Sequence, residues 1–266
     1  MYDTHIHSNI SFDSKMVGGD ACKKAIINGL KGIIFTEHLD YGFPDEDYRD
    51  PPMKDYTAMI DTLRHAYPEL CIGKGIEIGY QSGVIEMNKA FLDLYPFDFV
   101  ISSVHTLGGL DLYDTYFEGR EKEQVYIAYL QEVLASVKNF QNYDVVAHLG
   151  YIRRYSPYPD FSMRFSDYTD LIDAILKQII SDGKGLDVNT SGYRMGYKRN
   201  LGTSIPDLDI LLRYKQLGGE IITIGSDAHK AGDVGSHFGE CVEELNDLGF
   251  RHAFFFSNRT AIAYDI

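Results

Sequence analysis

Seven short apolar runs alternate with helix-forming stretches along the chain, which predicts an α/β fold with a parallel sheet. Seven strands within 266 residues predict a closed or nearly closed barrel in a single domain, residues 1–266. The runs end in His, Asp, Glu or Asn, and barrel active sites sit on the face formed by the carboxyl ends of the strands.

Tyr2 to His7 reads as the first strand, and Ser8 to Gly19 as a polar loop. A helix is expected from Asp20, a plausible N-cap, to a stop at Gly29. Leu30 to Thr36 is the second strand and runs into Glu37-His38. Leu39 to Asp55, with three prolines, many acids and several aromatics, reads as a long loop over the site. Tyr56 to Ala66 is helical, and Leu70 to Ile78 is a strand carrying Glu77. Phe99 to Val104 is a strand that ends at His105. Glu121 to Asn139 is a long helix, with Val125, Tyr129, Val133 and Val137 at helical spacing. Asp144 to Ala147 is a strand ending at His148, and Gly185 to Val188 one ending at Asn189. Helices over Ser166 to Ser181 and Leu208 to Leu217 flank that sixth strand. Glu220 to Gly225 leads into Ser226-Asp227-Ala228-His229, and a helix over Cys241 to Leu248 and a short strand over Arg251 to Phe256 complete the chain.

Composition narrows the function. The chain is 44% hydrophobic and 13% aromatic, enough for a full core, and no apolar run approaches the roughly 20 residues needed to span a bilayer. No basic segment followed by an apolar one opens it, so no secretory signal is expected. Cys22, Cys71 and Cys241 are odd in number and lack CxxC spacing; they read as buried small hydrophobes in a reducing cytoplasm. A net charge of −14 argues against non-specific nucleic-acid binding. It also argues against an anionic substrate, unless bound cations and a few arginines reverse the field inside one pocket.

Six of the nine histidines, His5, His7, His38, His105, His148 and His229, fall at predicted strand ends, as do Glu77 and Asp227. His5 and His7 are two positions apart and share a strand face, so they can grip one ion. A carboxylate can bridge two ions while imidazoles complete each shell, and ions about 3.5–4 Å apart can share a hydroxide nucleophile. His65 and His252 do not fit a strand end and read as structural or exposed.

His5-Ile6-His7, Glu37-His38, Glu77, His105, His148 and Asp227-Ala228-His229 resemble, in order, the motifs of the PHP (polymerase and histidinol phosphatase) superfamily. Thr36-Glu37-His38, Ser103-Val104-His105, Asn189-Thr190-Ser191-Gly192 and Gly225-Ser226-Asp227-Ala228-His229 are similar to the monofunctional histidinol-phosphate phosphatases within it. The resemblance implies a distorted (β/α)7 barrel with three divalent ions, zinc, manganese or iron. It implies that His5, His7, Glu77 and Asp227 take the first ion, Glu77, His105 and His148 the second, and Asp13, His38 and His229 the third. Many relatives have histidine where Asp13 stands, and a carboxylate is a harder ligand that favours manganese or iron over zinc. Arg154 and Arg194 stand where the family places phosphate-binding arginines, and a planar guanidinium suits that task. Asn189 joins them as a substrate contact, and Glu77, Asp227 and His229 as catalytic residues. Arg153 and Arg199 read as surface charges. Glu37 is a candidate to orient an imidazole, and the acidic run Asp45, Glu46, Asp47 a candidate to meet a cationic substrate group.

The implied activity is hydrolysis of L-histidinol phosphate in histidine biosynthesis, with a small phosphomonoester as substrate and neither nucleic acid nor membrane as partner. A nucleotide, a sugar phosphate or phosphotyrosine are the alternatives within the family. An amidohydrolase commonly bridges its metals with a carboxylated lysine where Glu77 stands here, and a non-catalytic metal-stabilised module would have lost ligands.

Overall fold

The computed structural model describes residues 1–113, 116–194 and 201–266. In chain order the elements are β1 (Tyr2–Ile6), α1 (Gly18–Ile27), β2 (Gly32–Leu39), α2 (Met53–Ala66), β3 (Cys71–Gly79), α3 (Ile85–Leu94) and β4 (Phe99–Ser103). There follow β5 (Thr106–Leu107), β6 (Leu110–Asp111), α4 (Lys122–Asn139), β7 (Val145–Val146), α5 (Thr169–Ser181) and β8 (Gly185–Asn189). The chain finishes with α6 (Leu208–Gln216), β9 (Ile222–Gly225), α7 (Phe238–Asp247), β10 (His252–Ser257) and β11 (Thr260–Asp265).

Seven strands form one parallel sheet in the order β1-β2-β3-β4-β7-β8-β9. The sheet curls until its edges meet. The Asp227 N–H donates to the His5 carbonyl at 2.7 Å, and the His7 N–H to the Ala228 carbonyl at 2.9 Å. This nearly closed seven-stranded barrel agrees with the expected (β/α)7 fold.

The strands are covered on both faces, as in β2, where all eight residues are buried. Side-chain alternation sends Ile33 and Phe35 outward to the helices and Ile34 inward. Ile34, Phe99, Ile101, Val145 and Ala147 fill the lower lumen, where Phe256 of β10 joins them. The larger core lies between strands and helices, and α4 contributes Val125, Tyr129, Val133 and Val137 to it. A capping box between Glu121 and Gln124 starts that helix.

Some boundaries differ from expectation. Helix α1 begins two residues before Asp20, which lies in its first turn, where a carboxylate complements the helix dipole. Gly29, at φ +69°, ends it as expected. Helix α3 and the β5–β6 hairpin have no counterpart in the sequence reading. The expected last strand is half of a hairpin, β10 paired with β11. Its two-residue turn, Asn258-Arg259, has both φ values positive, which matches the right-handed twist of the flanking strands. Cys71 is exposed, whereas Cys22 and Cys241 are buried as expected.

Candidate metal centre

The barrel register brings the strand-end side chains to one level. His38 of β2 pairs with Glu77 of β3, and Glu77 with Ile101 of β4, two residues before Ser103, whose hydroxyl donates to Glu77. Around the Glu77 carboxylate stand His5 Nε2 at 3.1 Å, His7 Nε2 at 3.4 Å and His38 Nδ1 at 3.3 Å on one oxygen. His148 Nε2 at 3.0 Å and His105 Nε2 at 3.4 Å approach the other. Asp227 Oδ1 lies 3.5 Å from His7 Nε2 and 3.8 Å from His5 Nε2. Asp13 Oδ2 lies 3.1 Å from His229 Nε2 and 3.4 Å from His38 Nε2. All nine expected metal ligands therefore meet at the mouth, although Asp13 comes from a loop. His148 and Asp227 adopt φ values of +26° and +53°, conformations uncommon outside glycine and concentrated at functional sites.

The electrostatics fit a cation-binding cluster. Burial alone would raise the Glu77 carboxyl, but the imidazoles of His5, His38 and His105 hold it well below the carboxylate range. Burial likewise opposes charge on His5, yet Glu77 and Asp187 raise it well above the usual imidazole value. Against burial, Asp40 and Glu77 raise His105 to about 10. His7 goes the other way, to about 3, through burial and the neighbouring His38 and His229. Burial would raise Asp227 too, but Arg154 and the histidines hold it well below its ordinary value.

The donor set suits divalent ions. His7 Nε2 is fully buried and has no hydrogen-bond partner, although it faces two carboxylates. Three groups offer ligand atoms close enough to share an ion: His5, His7 and Glu77; His38, Glu77 and His105; and His7, His38 and His229. Asp187 accepts from His5 Nδ1 at 3.0 Å, which fixes that ring with Nε2 toward Glu77. Thr223 holds the other Asp187 oxygen at 2.9 Å.

A cavity of about 440 Å³ opens over the cluster. Arg154, Arg194, Tyr151, Tyr155, Lys230 and Asp233 line it beside the ligand residues. Arg154 Nη2 donates to Asp227 Oδ2 at 2.9 Å and to Asn189 Oδ1 at 3.2 Å, and its guanidinium lies over the Tyr151 ring. Arg194 is tied to the Ser226 and Asp227 carbonyls. Asn189 is wholly buried; it reaches the cavity through Arg154 and Asp227 rather than lining it.

Several expectations need correction. Arg153 is not a surface charge: it is buried and paired with Asp207. Arg199 lies outside the described residues. Glu37 accepts from the backbone N–H and the hydroxyl of both Ser8 and Ser11, so it braces the loop after β1 and reaches an imidazole only through the Ser11 hydroxyl, 3.4 Å from His7 Nδ1. Asp45, Glu46 and Asp47 are exposed and do not line the cavity. Their loop contributes Phe43 and Tyr48 instead, which pack on Phe12 beside His38. Asp40 and Asp187 stand outside the set of residues expected from sequence, although alternation places each on the face of a neighbouring site residue, His38 and Asn189 respectively.

A parallel barrel with such a cluster at its carboxyl mouth has the build of a metal-site barrel enzyme. Residues 3–191 match the model of the PHP domain, and the chain belongs to that family. A probable histidinol-phosphatase of Clostridium acetobutylicum is 34% identical, with 96% of each chain covered. The histidinol-phosphatase of Lactococcus lactis subsp. lactis is also 34% identical, over 86% of this chain and 84% of its own. The crystal structure of the Lactococcus lactis histidinol phosphate phosphatase with zinc, L-histidinol and phosphate matches with a TM-score of 0.87. It is 32% identical over 98% of both chains.

Proposed function

We propose that this chain is a metal-dependent phosphomonoesterase that hydrolyses L-histidinol phosphate to L-histidinol and phosphate, a step of histidine biosynthesis. The observation that carries it is the Glu77 carboxylate ringed by five imidazoles beneath a cavity that also presents two arginines. The relatives named above supply the substrate.

In this reading three divalent ions, zinc, manganese or iron, are held by nine side chains. His5, His7, Glu77 and Asp227 hold one, Glu77, His105 and His148 a second, and Asp13, His38 and His229 a third. When bound, such ions supply a nucleophilic water at neutral pH and positive charge for the phosphate oxygens. Arg154 and Arg194 take the remaining phosphate oxygens and stabilise charge spread over them during in-line displacement. Asn189 keeps Arg154 aimed at the cavity and holds Asp227 from behind. Tyr151 and Tyr155 form an aromatic wall suited to a flat, cationic ring. Asp233, 3.9 Å from Arg194 Nε, is the lining carboxylate left outside the metal ligands, and in this reading it takes the amine, the role expected earlier of the 45–47 run.

Phosphate release from a panel of phosphomonoesters, with metal-loaded and chelator-stripped protein, tests this. Histidinol phosphate should have much the highest kcat/KM, and stripped protein should be inactive. Equal turnover of a neutral-tailed phosphate would shift the reading to a general phosphoesterase, and full activity without metal would end it.

A further inference from the structure

We propose that Asp40 is the positioning residue for two metal-ligand imidazoles at once, one carboxylate oxygen serving each. The inference rests on the metal-site reading above.

Asp40 follows the last residue of β2 and is 2% exposed. Its Oδ1 lies 2.6 Å from His105 Nδ1, and its Oδ2 lies 3.4 Å from His38 Nδ1, which is also 3.3 Å from Glu77. Both imidazoles thereby turn Nε2 the other way. His105 Nε2 faces Glu77 at 3.4 Å, and His38 Nε2 faces Asp13 at 3.4 Å. A carboxylate behind an imidazole fixes its tautomer and ring plane and leaves the opposite nitrogen as the ligand. Here one carboxylate does so for residues assigned to two different ions, so those two sites share a support that the His5–His7 site lacks. That site has its own, Asp187.

The neighbouring chain is built around this carboxylate. A Cβ on Gly79 would come within 1.8 Å of Asp40 Oδ1, so β3 can end beside Asp40 only as glycine. From the other side, the Asp40 N–H donates to the Tyr48 hydroxyl at 2.8 Å, which donates in turn to Asp50 at 2.8 Å. Buried Asp40 Oδ2 has no hydrogen-bond partner, and His38 Nδ1, also without one, is the group beside it.

The test is metal stoichiometry and affinity in Asp40→Asn and Gly79→Ala, measured by chelator competition and elemental analysis. The d–d spectrum of the cobalt-loaded protein accompanies both. Asp40→Asn keeps the volume of the side chain but not an acceptor for both rings. It should weaken the sites built on His105 and His38 by about 10- to 100-fold while the His5–His7 site stays filled, and should change the cobalt spectrum. Gly79→Ala displaces an intact carboxylate and should give the same pattern. Val137→Ala, a core truncation in α4, should lower Tm with stoichiometry and spectrum unchanged. Unaltered affinity at all sites in Asp40→Asn, or an equal loss at every site, would overturn the inference while leaving the phosphatase reading intact. Wild-type protein that binds no metal would overturn both.

Discussion

At the bottom of the barrel Phe99 stacks on Phe256 at 4.8 Å, Tyr2 stacks on Phe255 at 4.1 Å, and aliphatic side chains fill the lumen between. At the mouth the strand ends and the loops after them present six buried or half-buried imidazoles, the buried carboxylates of Glu77 and Asp227 and the exposed one of Asp13, with His148 and Asp227 in uncommon backbone conformations. The lower half has the composition of an ordinary core. The upper half confines charge that only more charge, or metal, can balance. Strand β2 contributes to both, so its sequence changes character along its length: Ile34 faces the lower lumen, and His38, four residues on, faces the site. Stability is gathered at one end and consumed at the other.

The division can be broken most sharply at Glu77. Glu77→Gln should remove several kcal/mol of transition-state stabilisation, on the order of a thousandfold or more in kcat/KM, together with bound metal. Retained metal and activity would refute its central place. Arg154→Met should cost about 10²–10³ in kcat/KM against every phosphomonoester alike, with metal content unchanged. A loss confined to histidinol phosphate would mean that Arg154 reads the organic portion instead. At the opposite end, Phe256→Ala should lower stability by about 3–5 kcal/mol in denaturant titration, while kcat of the folded protein is retained. Lost metal binding there would show that the two ends are not separable.

The pH response sharpens the contrast further. Without metal, His105 holds a proton up to about 10, and His5 and His38 are also raised. Metals must displace these protons, so affinity should rise with pH, and calorimetry in buffers of different ionisation enthalpy should record proton release at neutral pH. Stability of the metal-free protein should run the other way. The contribution of His105 is complete below its unfolded value, about 6.5, and fades as pH rises through its folded value. A Tm of the stripped protein that is flat over that interval would count against it. Least affected should be Asp45, Glu46 and Asp47: neutralising all three should change kcat/KM by less than about twofold, because exposed charges away from the cavity are screened.

What could be read from the sequence follows the same line between ends. The alternation of strands and helices and the strand-end histidines were legible because each depends on local order alone. Asp13 is legible only through family resemblance; nothing in a polar loop distinguishes it from Asp45. Asp40 and Asp187 are not legible there because their partners come from other parts of the chain. Arg153 and Arg154 are neighbours in one short turn, and only the tertiary placement of Asp207 makes the first a buried ion pair. Helix α3 is short and polar on one face, and β11 is mostly exposed, so neither carries a strong apolar pattern.

The seam between β1 and β9 has a consequence for biosynthesis. Thr4 bonds Ile224 across it at 3.0 Å, a separation of 220 positions. At typical translation speeds of 5–20 residues per second, roughly 10 to 45 seconds pass between the synthesis of the two sides. Through that interval His5 and His7 wait on an unpaired edge, and Asp227 and His229 do not yet exist. No ribosome-bound fragment that stops short of Gly225 can close the barrel, so the complete cation site is assembled only when the last barrel strand leaves the exit tunnel.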